Sequence, residues 1–129
     1  MKTKYKLTLA VLAGILIGVV AAKAIQAQQQ KVPPGYVISE LDAILDVPTV
    51  QKYGQGVPET LAPFDHHFVV RGGNPQALES DPPKAIAVIA FDSVQKAREW
   101  YESPAYQAIK PLRQSSTKGR MFIVEGIAP

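Results

Sequence analysis

From Phe91 to Tyr106 the chain reads Phe-Asp-Ser-Val-Gln-Lys-Ala-Arg-Glu-Trp-Tyr-Glu-Ser-Pro-Ala-Tyr, and no other run restricts the possible folds as strongly. It follows Lys84–Phe91, an almost unbroken apolar stretch that reads as a strand buried on both faces. Asp92 and Ser93 each bring a side-chain oxygen that can cap a helix, after which Val94, Ala97, Trp100 and Tyr101 recur on one stripe at helical spacing. Ser103 then stands before Pro104. A residue preceding proline is pushed out of helical geometry, whereas proline suits a first helical turn, so one helix ends here and another begins. A strand feeding a split helix that carries aromatics calls for a sheet with helices packed against it.

The remaining elements follow from similar signals. A first strand is expected over Gly35–Asp42, with Tyr36, Ile38 and Glu40 on one face and Val37, Ser39 and Leu41 on the other. Asp46 caps a helix expected over Val47–Pro63, with Pro48 in its first turn. Gly54 and Gly56 each cost up to ~1 kcal/mol relative to alanine and Pro58 costs ~3 kcal/mol, which predicts a broken or kinked helix. Phe68–Arg71, bounded by Gly72-Gly73, is the second strand. A long connection runs from Asn74 to Pro83, with a short extended piece expected at Ala77-Leu78-Glu79. After Pro104, the residues Tyr106, Ile109 and Leu112 turn inward, and Pro111 is expected to end or bend that helix early. Met121–Glu125 is the fourth strand, closed by Gly126. The order βαββαβ defines an α+β domain: a four-stranded antiparallel sheet with helices on one face. Its open face is apolar, and face-to-face pairing of two copies would cover it.

The start of the chain has a different character. Lys2, Lys4 and Lys6 precede a 16-residue apolar run, Leu7–Ala22, and small residues follow through Ala27. That layout is a secretory signal peptide over residues 1–27, directing the protein to the periplasm or outside the cell. The alternative is an uncleaved inner-membrane anchor at residues 7–22, although the run is shorter than the ~20 residues a spanning helix needs. Residues 28–34 form a polar, proline-ended lead-in, and residues 35–129 form the domain. Four of the 14 basic residues and none of the 11 acidic ones lie in the export segment, so the net charge of +3 becomes −1 without it. The basic balance therefore belongs to the signal and argues against nucleic-acid binding, which needs a basic face on the folded domain. Absence of cysteine removes disulfides, thiol chemistry and lipid attachment at a cleavage-site cysteine.

With these residues in place, the chain resembles the small bacterial family known as domain of unknown function 1330. The resemblance is carried by Gly35-Tyr36, Phe68 through Gly73, Leu78-Glu79, Phe91, Ser93, Ala97, Trp100-Tyr101, Ser103-Pro104, Tyr106, Leu112-Arg113 and Glu125-Gly126. It implies a ferredoxin-like fold of the dimeric α/β-barrel group, whose members include small monooxygenases, isomerases and stress-response proteins. Three positions depart from the family pattern. His66-His67 replace a Gly-Gly pair, Ser80 replaces the glycine after Leu-Glu, and Ala90 stands where an acidic residue is common.

Candidate site residues are few. His66 and His67 are adjacent, so on a strand they point to opposite faces and do not easily bind one metal, and no spaced partner histidine exists. No metal and no cofactor is expected. His67 alone, or Tyr36, is a candidate acid or base. Arg71 and Arg113 can hold an anion through their forked donors, or pair with Glu79, Glu99 or Glu125. Trp100 and Tyr106 either line a ligand pocket or fill the core. No phosphate loop, nucleophile elbow or paired-carboxylate arrangement can be read. The sequence thus points to an exported, homodimeric α/β-barrel domain that binds a small molecule, with membrane contact only through an uncleaved N-terminus. Two alternatives remain: a cofactor-free monooxygenase- or isomerase-like enzyme using His67 or Tyr36 with an arginine in the sheet–helix pocket, and a protein-interaction or stress-response module.

Overall fold

The computed structural model describes residues 31–129; the export segment read from residues 1–27 lies outside them. Strand β1 (Gly35–Ile44) leads into helix α1 (Val47–Leu61), strand β2 (His66–Gly72) and strand β3 (Ala85–Phe91). Helices α2 (Val94–Glu102) and α3 (Pro104–Ser116) then return the chain to strand β4 (Thr117–Glu125). The sheet order is β2-β3-β1-β4 and every neighbouring pair is antiparallel. Two interleaved β-α-β units with this order make a ferredoxin-like α+β domain. No helix among the described residues is long and apolar enough to cross a membrane.

Local chemistry explains the split between α2 and α3. Ser93, in an extended conformation, accepts a hydrogen bond from the Lys96 amide (3.1 Å) and caps α2. Ser103 serves both helices: its hydroxyl donates to the Trp100 carbonyl (2.7 Å) and accepts from the Tyr106 amide (3.3 Å). One side chain thereby closes α2 and caps α3. The N-terminus of α2 presses onto β1 at Gly35, where a β-carbon would lie 2.5 Å from the Ser93 carbonyl oxygen.

Neither the break expected in the first helix nor the early end expected at Pro111 occurs. α1 runs through Gly54, Gly56 and Pro58, and α3 runs five residues past Pro111 to Ser116. Tertiary packing outweighs the local cost in each case. In α1, Asp46 binds the Thr49 amide and hydroxyl, while Tyr53 and Val57 pack on the buried cluster that includes Leu61. Gly56 faces α3: a β-carbon there would sit 3.3 Å from Ile109 Cγ2, so glycine permits the close approach of the two helices. In α3, Pro111 is exposed, and the carbonyls of the last turn are taken by hydroxyls, Ser116 to Leu112 (2.5 Å) and Thr117 to Arg113 (2.7 Å).

Strands β2 and β4 begin earlier than expected, at His66 and Thr117, and β1 continues to Ile44. The connection from Asn74 to Pro83 contains no strand, and Leu78 within it is 99% exposed. Ser80 adopts a left-handed φ of 60°, which accounts for the glycine usual at that place in the family it resembles.

The core lies between the sheet and the helices: Val37, Leu61, Ile89, Phe91, Ala97, Trp100 and Tyr106. Tilted aromatic contacts link Phe91 to Trp100 (centroids 5.6 Å apart) and Trp100 to Tyr106 (4.3 Å). β3 is fully buried only over Ile89–Phe91; Ala85–Val88 are half-buried, and one face of the sheet carries no helix. On that open face the register aligns Tyr36 and Ile38 of β1 with Ala90 and Val88 of β3 and with Val124 and Phe122 of β4. Phe122 and Val124 are each 42% exposed.

Candidate functional site

Between the covered side of the sheet and helices α1 and α3 lies a cavity of about 160 Å³. Its floor is Val37, Ser39 and Leu41 of β1, Ala87 and Ile89 of β3, Phe68 of β2 and Met121 of β4. Val50, Tyr53 and Val57 of α1 form the roof, and Trp100 of α2 closes one wall. The polar residues are few: Ser39, Tyr53 and Thr117, together with half-buried Arg113 and exposed Arg71. Apolar walls with a few convergent polar groups are the usual make-up of a small-molecule site.

A buried hydrogen-bond hub organises these polar groups. The hydroxyl of Tyr106, a residue 0% exposed, accepts from Arg113 Nε (3.2 Å) and donates to Met121 Sδ (3.5 Å). With that proton committed, the Tyr53 hydroxyl is the donor in its 3.1 Å bond to Tyr106. Burial pushes the Tyr53 phenol well above its ordinary range, and the adjoining Tyr106 adds to the shift. Tyr53 is therefore a neutral hydrogen-bonding group at physiological pH, not a base. Trp100 is satisfied separately: its Nε1 donates to Thr60 Oγ1 (3.0 Å), and Thr60 in turn donates to the Val57 carbonyl (2.7 Å).

The two arginines are held differently from the ion pairs expected for them. Among the described residues neither Arg71 nor Arg113 has a carboxylate partner. Glu99 pairs with Lys96 (3.0 Å), while Arg120 engages Glu40 closely and Asp42 at 3.6 Å. Arg71 instead lies over the Phe68 ring, 4.9 Å from its centroid, and Arg113 is anchored by Tyr106. The reason is topological: α3 delivers Arg113 to the cavity, away from Glu99 on α2 and Glu125 at the far end of β4.

Arg71, Trp100 and Arg113 thus meet at one cavity, with Tyr106 directly behind it. Tyr36 and His67 do not join them. They flank Ala90 on the strand register and border a separate cleft with Asp65, His66 and Asp92. The combination of His67 or Tyr36 with an arginine in a single sheet–helix pocket is accordingly not formed within one chain. His66 Nδ1 donates to the Phe64 carbonyl (2.7 Å), which places its ring proton on that nitrogen. Among the described residues no group of three or more His, Cys, Asp or Glu side chains is arranged to hold a metal ion.

Tyr53, Ser39 and Thr117 were not singled out by the sequence. Val50, Tyr53 and Val57 at helical spacing mark a buried stripe, but the meeting of Tyr53 with Tyr106 spans 53 positions and has no local signal.

The ferredoxin-like arrangement recurs in solved structures. A protein of unknown function from Rhodopseudomonas palustris superposes with a TM-score of 0.60 at 14% identity, over 84% of this chain and 94% of that one. A dimeric ferredoxin-like protein of unknown function from Thermobifida fusca gives 0.51 at 14% identity, over 78% and 94%. The hydroxynitrile lyase of Passiflora edulis gives 0.52 at 11% identity, over 74% and 94%. At such identities the likeness speaks for the fold alone. No functionally curated protein matches the sequence. The profile of the family Domain of unknown function (DUF1330) matches residues 34–127, and the chain belongs to that family.

Proposed function

We propose that this protein is a small-molecule-binding domain, working as a homodimer, whose ligand enters the cavity between the sheet and helices α1 and α3. The observation that carries the reading is the presence of Arg71, Arg113 and Tyr53 around an otherwise largely apolar hollow beside the only tryptophan in the chain. A filled core would leave no such hollow. Pairing of two copies through the open sheet face is supported by its apolar register of Tyr36, Ile38, Val88, Phe122 and Val124. The Thermobifida fusca protein of the same fold is likewise described as dimeric.

Trp100 reports on the cavity, so its emission provides the test. Titration with a panel of small amphipathic molecules is expected to shift Trp100 emission saturably for at least one of them. An emission spectrum unmoved by any of them, in a protein that scatters light as a monomer, would sink the reading. Export through residues 1–27 belongs to the same proposal, on the strength of the basic start and 16-residue apolar run. N-terminal sequencing of the protein from its native fraction is expected to begin near Gln28; an intact Met1 in soluble cytosol would refute export.

A further inference from the structure

We infer that the ligand is a small organic anion: a carboxylate on an aromatic or short branched hydrocarbon body, gripped by the guanidinium of Arg113 with Arg71 at the same cavity. This rests on the small-molecule reading above and adds the chemical class of the ligand. The cavity lining contains two arginines and no acidic residue. Glu40 and Asp42, the acids on β1, are engaged by Arg120. A half-buried guanidinium against apolar walls is costly without a partner anion.

Arg113 is also oriented for the task. Its Nε is committed to Tyr106, whose hydroxyl is fixed in turn by Tyr53 and Met121. The guanidinium also lies close enough to the Tyr53 hydroxyl to act on it. The terminal amino groups present the parallel fork that a carboxylate accepts bidentately. Tyr53, a neutral phenol, and the hydroxyls of Ser39 and Thr117 add further hydrogen-bonding groups and no negative charge. Size limits the body of the ligand. A cavity near 160 Å³ matches the volume that accommodates one benzene-sized molecule.

Isothermal titration of the full chain at pH 7 with benzoate and with its neutral counterpart benzamide tests the inference. Benzoate is expected to bind about tenfold or more tightly than benzamide, reflecting the charge-assisted pair. Arg113→Gln is expected to abolish that preference, bringing the benzoate-to-benzamide ratio close to one, and Arg113→Lys to restore it only in part because the fork is lost. Should Arg113→Gln fail to fold, Arg71→Gln decides alone, with a several-fold drop in the benzoate-to-benzamide ratio expected. Equal binding of the two probes to the unaltered protein, or an unchanged ratio in the arginine variants, overturns the anion inference and leaves the cavity reading standing. Binding of neither probe, with Trp100 emission unmoved by every compound, overturns both.

Discussion

Replacing Tyr106 with phenylalanine removes one oxygen and keeps the ring, so it isolates the hub behind the cavity. The aromatic contacts with Trp100 (4.3 Å), Tyr101 (5.3 Å) and Tyr53 (6.4 Å) survive the change. Three hydrogen bonds do not: those with Tyr53 (3.1 Å), Arg113 Nε (3.2 Å) and Met121 Sδ (3.5 Å). A neutral bond contributes ~1 kcal/mol and a bond to a charged donor ~1.5–3 kcal/mol. Arg113 is half-buried, so solvent screening holds its share to the lower end, and the thioether is a weak acceptor. The expected loss for Tyr106→Phe is roughly 2–3 kcal/mol, against ~1 kcal/mol for Tyr53→Phe, which breaks one bond. In the double variant the shared bond is removed only once, so the losses should fall short of additivity by ~1 kcal/mol. Urea unfolding followed by far-ultraviolet circular dichroism measures all three. A loss below ~0.5 kcal/mol for Tyr106→Phe would show that the hub does not hold the cavity wall, since even one neutral bond is worth more.

Other consequences are equally open to measurement. Because the folded state raises the pKa of Tyr53, the native chain keeps a proton that the unfolded chain releases near pH 10. The associated stability is full below pH ~10 and declines above it by up to ~1.4 kcal/mol per pH unit; Tyr53→Phe should lose this component of the alkaline slope in urea titrations. Gly35→Ala places a methyl group 2.5 Å from the Ser93 carbonyl oxygen and 2.6 Å from Val94 Cα, and is expected to cost ~1–3 kcal/mol as α2 is displaced. An unchanged melting temperature would contradict that contact. Ser80→Gly relieves a left-handed serine at φ 60° and is expected to stabilise the domain by ~1 kcal/mol, read as a rise in melting temperature.

Much of the architecture is legible in local chemistry. The Ser103-Pro104 step specifies the helix restart through rules that act over a few residues, and the structure uses Ser103 for both helices. The errors have a common physical origin. Gly54, Gly56, Pro58 and Pro111 are penalised by local propensity, yet packing of α1 against α3 and hydroxyl capping of the last turn carry both helices through. The candidate site was legible as residue types but not as a constellation. Arg71, Trp100 and Arg113 can be named from the chain alone, whereas the hub joining Arg113 to Tyr106 and Tyr53 requires α1 and α3 to be adjacent. Likewise, His67 and Tyr36 attract attention as titratable groups, and only the strand register shows that they flank Ala90 in a cleft of their own.

Chemical-shift mapping tests the central claim most directly. In the ¹⁵N-labelled protein titrated with benzoate, the account predicts saturable shifts concentrated at Ser39, Tyr53, Arg71, the Trp100 indole and Thr117, around the one cavity they line. Shifts centred on Tyr36, His67 and Asp92, with the cavity signals unmoved, would contradict it and relocate the site to the other cleft.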